Sequence, residues 1–315
     1  MRIRQLLPLL FVMGPTVFAL AADEDPKPAE PGTLVVVDSA GKEQKLKAWK
    51  FTEGVRRLGW LAKPSDGKDA SDKEKKDVPK GKRAAPAPAG PEALALRTET
   101  AIKYAQGVLT LIPLDQLRSL DYDNEMDTVT ARAAAGTDNP EMLVGTTKYK
   151  RINKLVIEAE VDKGELGVAE VKYLGGYPRG IRGVRFPAPK AAPPVPEGRR
   201  VLVVSDEGEK KTTHKVVDLL PLYRLADGSE KLLSMLAFKK TLKLDVGKIK
   251  KVVAVGDGWQ VTLKDGGDET LTLLEMVPFE GKQARLLGFV GRVPVGYKLF
   301  PAAGIAEITF DAEDK

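Results

Sequence analysis

Residues 33–43, TLVVVDSAGKE, form a run of β-branched and apolar side chains that enters a turn containing Asp38 and Gly41. This composition predicts a strand followed by a tight hairpin, because Asp and Gly supply the backbone angles such a turn needs. A similar stretch, RVLVVSDEGEK, begins at Arg200. Further along each half a second pair of similar stretches occurs, IPLDQLRSLDY from Ile112 and LKLDVGKIKKVVAV from Leu242. The order of these stretches and the distances between them agree in the two parts of the chain if residues 63–93 are left out of the comparison. The sequence therefore predicts two duplicated halves.

Each half also contains a shorter sequence unit that occurs twice. The openings VVVDSAGKE and LVVSDEGEK have relatives in TVTARAAAGTD, from Thr128, and VTLKDGGDE, from Val261. A second signature is an apolar pair three residues apart with a third member two residues later, seen at Leu117, Leu120 and Tyr122; Ile181, Val184 and Phe186; Ile249, Val252 and Ala254; and Ile305, Ile308 and Phe310. These signatures recur about every 60 residues, a length typical of one small module. We predict four tandem β modules, at residues 33–122, 123–186, 199–255 and 256–311.

Near the end of each module, P-L-D-Q-L, Y-P-R-G-I, D-V-G-K-I or F-P-A-A-G-I indicates one short helical turn before a last strand. A strand, a turn, a meander, a short helical turn and a final strand together resemble a small SH3-like barrel, an architecture found in secreted bacterial proteins. The resemblance implies an all-β fold of tandem SH3-like barrel modules with short helical turns only. It implies no particular activity.

The N-terminal residues predict export. Arg2 and Arg4 precede an apolar stretch from Leu6 to Leu20 and the small-residue sequence Ala19-Leu20-Ala21. This is the pattern of a signal peptide, here residues 1–21, and it predicts a secreted or periplasmic protein. Residues 22–32 are then a linker. No later apolar run has the length of about 18 residues that a membrane-spanning helix needs.

Two internal segments have the composition of linkers. Residues 63–93 combine charges with Pro, Gly and Ala and contain almost no large apolar side chain, which predicts a disordered insertion in the first module. Residues 187–198, PAPKAAPPVPEG, predict an extended spacer between the halves. Modules one and two should therefore pack together, and modules three and four likewise.

The overall composition narrows the choice of partners. The chain has 50 basic and 44 acidic residues, and it has no cysteine. The absence of cysteine excludes disulfides and thiol chemistry, and no motif suggests a cofactor. The small, dispersed positive excess does not predict a nucleic-acid site, whereas anionic envelope polymers or lipid head groups are suitable partners outside the cytoplasm.

The most basic stretch, FKKTLKLDVGKIKK, covers residues 238–251. Two interpretations of it remain open. Its lysines could form a face that binds an anionic polymer or lipid, or they could be the solvated outer face of strands, where edge lysines discourage aggregation. The ligand-binding candidates are Lys239, Lys240, Lys243, Lys248, Lys250 and Lys251.

The segment DYDNEMD, residues 121–127, begins like a calcium loop. Oxygen ligands stand at loop positions 1, 3 and 5, but Met126 replaces the required Gly and Arg132 replaces the bidentate Glu. We expect a turn between modules. A weak divalent-metal site is the alternative, with Asp121, Asp123, Glu125 and Asp127 as its ligands.

No complete catalytic motif is present. The enzymatic alternative is a carboxylate-dependent hydrolase, similar to an aspartic protease, in which Asp38 and Asp206 share a proton. Neither residue lies in a D-T-G or D-S-G motif, and Asp265 occupies the same kind of turn, so hairpin chemistry accounts for them. The lone histidine, His214, is expected to be a solvated strand residue. We predict a non-enzymatic binding or scaffold protein of the cell envelope.

Overall fold

The computed structural model describes residues 32–61, 90–97, 107–123, 128–135, 139–148, 156–174, 181–187, 196–206, 211–239, 242–256, 258–266 and 268–312. Within these ranges the protein is all-β, and its helical segments are single 3₁₀ turns. None of the described helical segments is long and apolar enough to span a membrane. The predicted signal peptide, the predicted linker 22–32 except for its last residue, and most of the predicted insertion lie outside the described residues.

In the first half, residues 34–186, the described residues form eleven strands. A 3₁₀ turn, Leu114–Gln116, precedes the sixth, as the sequence predicts. The fourth strand begins inside the segment predicted as an insertion. The strands are β1 (Leu34–Asp38), β2 (Glu43–Glu53), β3 (Val55–Arg57), β4 (Glu92–Arg97), β5 (Leu109–Pro113), β6 (Leu117–Asp123), β7 (Thr128–Ala135), β8 (Asn139–Lys148), β9 (Val156–Asp162), β10 (Val168–Leu174) and β11 (Ile181–Arg185).

In the second half, residues 200–310, the part of the chain that the structure describes forms twelve strands. Two 3₁₀ turns, Val246–Lys248 and Ala302–Gly304, stand directly before final strands, again as predicted. The strands are β12 (Arg200–Asp206), β13 (Lys211–Leu225), β14 (Glu230–Leu232), β15 (Met235–Phe238), β16 (Leu242–Asp245), β17 (Ile249–Val255), β18 (Gly258–Leu263), β19 (Asp268–Leu271), β20 (Met276–Phe279), β21 (Lys282–Arg292), β22 (Tyr297–Phe300) and β23 (Ile305–Phe310).

The two halves build sheets with the same strand order. The first half forms an eight-stranded sheet in the order β10-β9-β2-β1-β11-β6-β7-β8. The second half follows the order β22-β21-β13-β12-β23-β17-β18-β19 within a 13-stranded sheet. Strands β5, β4 and β3 of the first half extend that larger sheet beyond β22.

The register of the strands agrees as closely as their order. In the β1–β11 pair the register shifts between Val37 and Asp38, and in the β12–β23 pair it shifts between Val204 and Ser205. The β6–β7 and β17–β18 pairs shift after Leu117 and Ile249 respectively. Bulges at matched positions allow the halves to be aligned residue by residue.

The predicted tandem barrels are not confirmed, because both sheets have an open strand order. Within the first half, β1 pairs with β11 and β7 pairs with β6, so each predicted module contributes its first strand to the last strand of the other. The two last strands also pair, with Leu120 opposite Val184. The connection from Asp123 to Thr128 is short enough to make β6 and β7 a hairpin, which favours this exchange.

The described residues form three apolar clusters. One cluster draws on residues 34–186 and receives Val295 from the second half. A second cluster draws on residues 201–310 and receives Val108 from the first. A smaller cluster between them includes Leu58, Leu111 and Leu222. Together with the antiparallel pairing of β5 and β22, these contacts join the two halves.

Candidate functional site

Four of the predicted lysines project from one continuous stretch of the second half. Lys239 follows β15, Lys243 lies on β16, Lys248 ends the 3₁₀ turn and Lys250 lies on β17, and all four are exposed. Among the residues that the structure describes, none of these four has an ion-pair partner. Lys251 differs, because its Nζ lies 3.0 Å from Glu307 Oε1. Lys240 lies outside the described residues.

The same stretch buries its alternate side chains. Val246 and Ile249 are buried in the second core, and Leu244 packs against it. The Asp245 carboxylate accepts a hydrogen bond of 2.6 Å from the Gly247 amide and so caps the 3₁₀ turn between the lysines. The backbone that carries the lysines is therefore held in place by the core and by this cap.

A neighbouring carboxylate is already engaged by other cations. Asp311 accepts two hydrogen bonds from Arg199, of 2.6 and 3.0 Å, and its Oδ2 lies 2.7 Å from Lys264 Nζ. The hydrogen bond from Arg199, followed by that from Lys264, holds the pKa of Asp311 below its ordinary value. Arg199 also donates to the carbonyls of Val246 and Ile249, which ties it to the lysine-bearing turn.

Asp38 has a structural role at its own hairpin. Its Oδ1 accepts hydrogen bonds from the amides of Ala40 and Lys42, at 2.9 and 2.8 Å. Asp38 and Asp206 lie in different sheets. They are also not equivalent, since Asp38 faces Ile181 across the bulge and Ser205 is the residue that faces Ile305. The symmetry expected of an aspartic-protease pair is therefore missing.

Ser205 is instead part of a buried cluster that the sequence did not reveal. The Oγ of Ser205 lies 2.9 Å from Nε2 of His214, and Lys298 Nζ lies 3.0 Å from Nδ1 of the same ring. His214 is only 6% exposed, so the prediction of a solvated histidine is wrong. Because Ser205 pairs with Thr212, His214 is its diagonal neighbour, a proximity that the hairpin register alone could have indicated.

The hydrogen bonds of this cluster do not suit nucleophilic catalysis. An ammonium group only donates, so Nδ1 of His214 accepts from Lys298 and Nε2 carries the ring proton. Nε2 then donates to Ser205, whose hydroxyl donates to the Thr212 carbonyl at 3.4 Å. A histidine that donates to a serine cannot at the same time remove its proton, so the geometry describes a polar contact in the sheet rather than an activated serine.

The equivalent place in the first half is an open pocket. Register aligns Asp38 with Ser205, Gln44 with His214 and Tyr173 with Phe300. The pocket has a volume of about 450 Å³, and its lining includes Asp38, Gln44 and Tyr173 together with lysines and acidic residues. Tyr173 donates to the Gln44 side chain, and burial, followed by the charge of Asp38, raises the Tyr173 pKa. With charges of both signs around it, the pocket favours no single ligand class.

The described part of the acidic segment, residues 121–123, ends β6, which pairs with β7. Asp123 and Thr128 are the last paired residues of these two strands, and Asp121 Oδ2 accepts from Ser119 Oγ at 3.1 Å and lies 3.5 Å from Arg132 Nε. Glu125 and Asp127 lie outside the described residues. Among those that are described, no group of three or more Asp, Glu, His or Cys side chains could hold a metal ion.

Comparison with known proteins adds no assignment to this geometry. No protein-family model matches the chain, and neither the curated proteins nor the solved structures contain a significant match.

Proposed function

We propose that this chain is a non-enzymatic binding or scaffold protein of the cell envelope that holds an anionic, phosphate-bearing partner on the lysine-bearing stretch of β15 to β17. The observation that supports the proposal is the set of four exposed lysines, Lys239, Lys243, Lys248 and Lys250, on backbone fixed by a buried core. Unpaired cations attract polyanions and lower the free energy of binding without any need for a deep pocket. The signal-peptide pattern supports a location outside the cytoplasm.

We also propose that the two halves arose by internal duplication, and that each half derives from two SH3-like modules whose first strands were exchanged. Support comes from the matched strand order, from the matched bulges of the β1–β11 and β6–β7 pairs, and from the recurrent sequence signatures. An exchange of this kind retains the local turn chemistry of each module while it merges two small cores into one larger core. A protein built in this way presents a broad surface, which suits a scaffold.

The binding proposal is tested with the triple substitution Lys239→Glu, Lys248→Glu and Lys250→Glu. Two probes distinguish the sources of phosphate, namely vesicles of phosphatidylglycerol in phosphatidylcholine and soluble inorganic polyphosphate. We expect the wild-type chain to bind at least one probe in a manner that weakens steeply with salt. The variant should bind about a hundredfold more weakly, on the basis of about 1 kcal/mol for each lysine near an anionic surface.

The matched control carries Lys163→Glu, Lys211→Glu and Lys215→Glu, which change the net charge equally at exposed positions elsewhere. If the control loses as much affinity as the test variant, binding depends only on the net charge, and the assignment of the site to the lysine-bearing stretch is wrong. Failure of the wild-type chain to bind either probe would also refute the proposal.

A further inference from the structure

Each half contains an equivalent pair of antiparallel strands, called here its ribbon, and in the first half β3 also pairs with this ribbon. In the first half β4 pairs with β5, with Leu94 opposite Ile112 and Ala95 opposite Leu111. In the second half β15 pairs with β16, with Leu236 opposite Leu244 and Ala237 opposite Lys243. A 3₁₀ turn follows β5 and β16 alike, and each ribbon packs on the core of its own half. Strand β16 is therefore the counterpart of β5, and Lys243 is the counterpart of Leu111.

The ribbon of the first half has a second partner. The outer edge of β5 pairs with β22 of the second half, with Tyr297 opposite Leu111. Leu111 is fully buried in the cluster between the halves, and the turn before β22 places Val295, which is 1% exposed, in the core of the first half. The pairing of β5 with β22 thus joins one half to the next.

The corresponding surfaces at the other ends of the molecule are open. Among the described strands, β10 pairs only with β9 and β16 only with β15. Strand β10 is the counterpart of β22. The turn before it carries Leu166, and Val168 is its first residue; their exposed fractions are 87% and 64%. On the ribbon, Met235 is 37% exposed, whereas its counterpart Ala93 is fully buried.

Applying the β5–β22 register to these open edges brings opposite charges together. Glu170 on β10 is the counterpart of Tyr297, because both stand opposite equivalent residues of the preceding strand, Glu160 and Arg292. Glu170 would therefore lie directly opposite Lys243 of another copy. Both side chains are exposed, and opposite charges at directly paired positions stabilise an antiparallel pair.

We propose that a second copy of this chain docks its β16 edge on β10, repeating between molecules the contact that β5 and β22 make within one molecule. The two surfaces differ, so the contact is heterologous: in a pair of copies joined in this way, one copy retains a free β10 edge and the other a free β16 edge, and further copies can add at either end. The product is a head-to-tail chain or a closed ring. Strand addition of this kind derives its affinity from backbone hydrogen bonds and its specificity from side chains at the edge.

The test measures self-association of the full chain by sedimentation over about a hundredfold range of protein concentration. We expect the mean mass of the wild-type protein to rise with concentration. Glu170→Lys and Lys243→Glu should each weaken association about tenfold, because each places like charges opposite one another. The double variant, in which the charges are exchanged, should regain association close to that of the wild type.

Two controls separate this contact from a general effect of charge. Glu53→Lys and Lys215→Glu make the same charge changes at exposed positions away from the proposed edges and should leave the mass distribution unchanged. A wild-type chain that remains monomeric throughout the range would overturn the proposal and assign Lys243 to the blocking of an edge. Association that the single variants leave unaltered, or that the exchanged pair does not restore, would overturn it equally.

Discussion

Ala48 and Asp218 both have positive φ angles, of 45° and 51°, at the same step of a bulge in β2 and β13. In each case the long strand carries one more residue than its partner strand between two paired positions. A left-handed backbone costs a non-glycine residue about 1–2 kcal/mol. Both halves contain this unfavourable backbone conformation at equivalent positions. This indicates that the bend of the strand at the bulge is needed to turn β2 and β13 across their sheets.

The Asp218 side chain should stabilise its bulge. Its carboxylate accepts a 2.9 Å hydrogen bond from the Arg199 amide and a further hydrogen bond from Arg292. We expect Asp218→Ala to lower the free energy of unfolding by about 2 kcal/mol, through the loss of charge-assisted hydrogen bonds, as measured by urea denaturation. Asp218→Asn should lose less. If the urea midpoint of Asp218→Ala equals that of the wild type, backbone contacts alone maintain the bend of β13.

The Ala48 site provides the reference for that experiment. Its side chain makes no hydrogen bond, so Ala48→Gly changes only backbone strain and chain entropy, which act in opposite directions and leave a net change within about 1 kcal/mol.

Glu230 is predicted to couple the two halves. Its carboxylate accepts two hydrogen bonds from Arg56 of the first half, at 2.8 and 3.0 Å, and one of 3.1 Å from Arg224, while its side chain is only 9% exposed. Glu230→Gln should lower the free energy of unfolding by about 2–3 kcal/mol, because the guanidinium groups of Arg56 and Arg224 lose their anionic partner at a largely buried site. Thermal unfolding should also become less cooperative.

The exposed pair of Arg57 and Glu92 serves as the comparison for Glu230. Glu92→Gln removes a similar contact between solvated side chains and should cost less than about 1 kcal/mol. Equal effects of the two substitutions would mean that Glu230 has no special part in joining the halves.

The buried His214 should be replaceable by the pair of residues that the first half uses. Gln44 and Tyr173 there stand where His214 and Phe300 stand in the second half. We expect His214→Gln to destabilise the protein by about 1–3 kcal/mol, since Ser205 and Lys298 lose a buried partner. The double variant with Phe300→Tyr should recover part of that loss, as followed by chemical denaturation. If the two changes were simply additive, the halves would not be equivalent at this site.

Asp311 should contribute to acid sensitivity. Its pKa in the folded state is below the ordinary 3.8, because Arg199 and then Lys264 donate hydrogen bonds to the carboxylate. A lowered folded pKa means that the contribution to stability is present above the unfolded pKa and is lost as the pH falls through the folded value. Since the carboxylate is largely solvated, we expect a modest effect.

The measurement for Asp311 compares urea midpoints of the wild-type chain and Asp311→Asn at neutral pH and at about pH 3. The wild-type advantage should shrink at the lower pH, where the carboxylate gains a proton. An advantage that is independent of pH would assign the effect of Asp311 to packing rather than to charge.

Sequence reasoning predicted the local structure well. The all-β class follows from β-branched runs and turn residues, and the 3₁₀ turns at Leu114, Val246 and Ala302 lie within the predicted segments. It did not predict which strands would pair. The continuous apolar run in TLVVV identifies β1 as a buried strand, and Leu34, Val35 and Val36 are all buried. The run does not specify the neighbours of β1, because its backbone could be satisfied beside any strand with a complementary face. The burial of His214 was not predicted either, because it depends on strands that are distant in the sequence.

The sequence by itself determined the all-β class and the 3₁₀ turns before β6, β17 and β23, because these depend on interactions among residues a few positions apart. Only the tertiary structure decided that β1 lies on β11 and that β5 of one half extends the sheet of the other. These pairings join residues separated by more than a hundred positions, and they follow from the burial of apolar faces and the satisfaction of edge hydrogen bonds across the whole molecule. The same requirement leaves the outer edges of β10 and β16 without a partner strand among the described residues, and these are the edges at which we propose that a second copy docks.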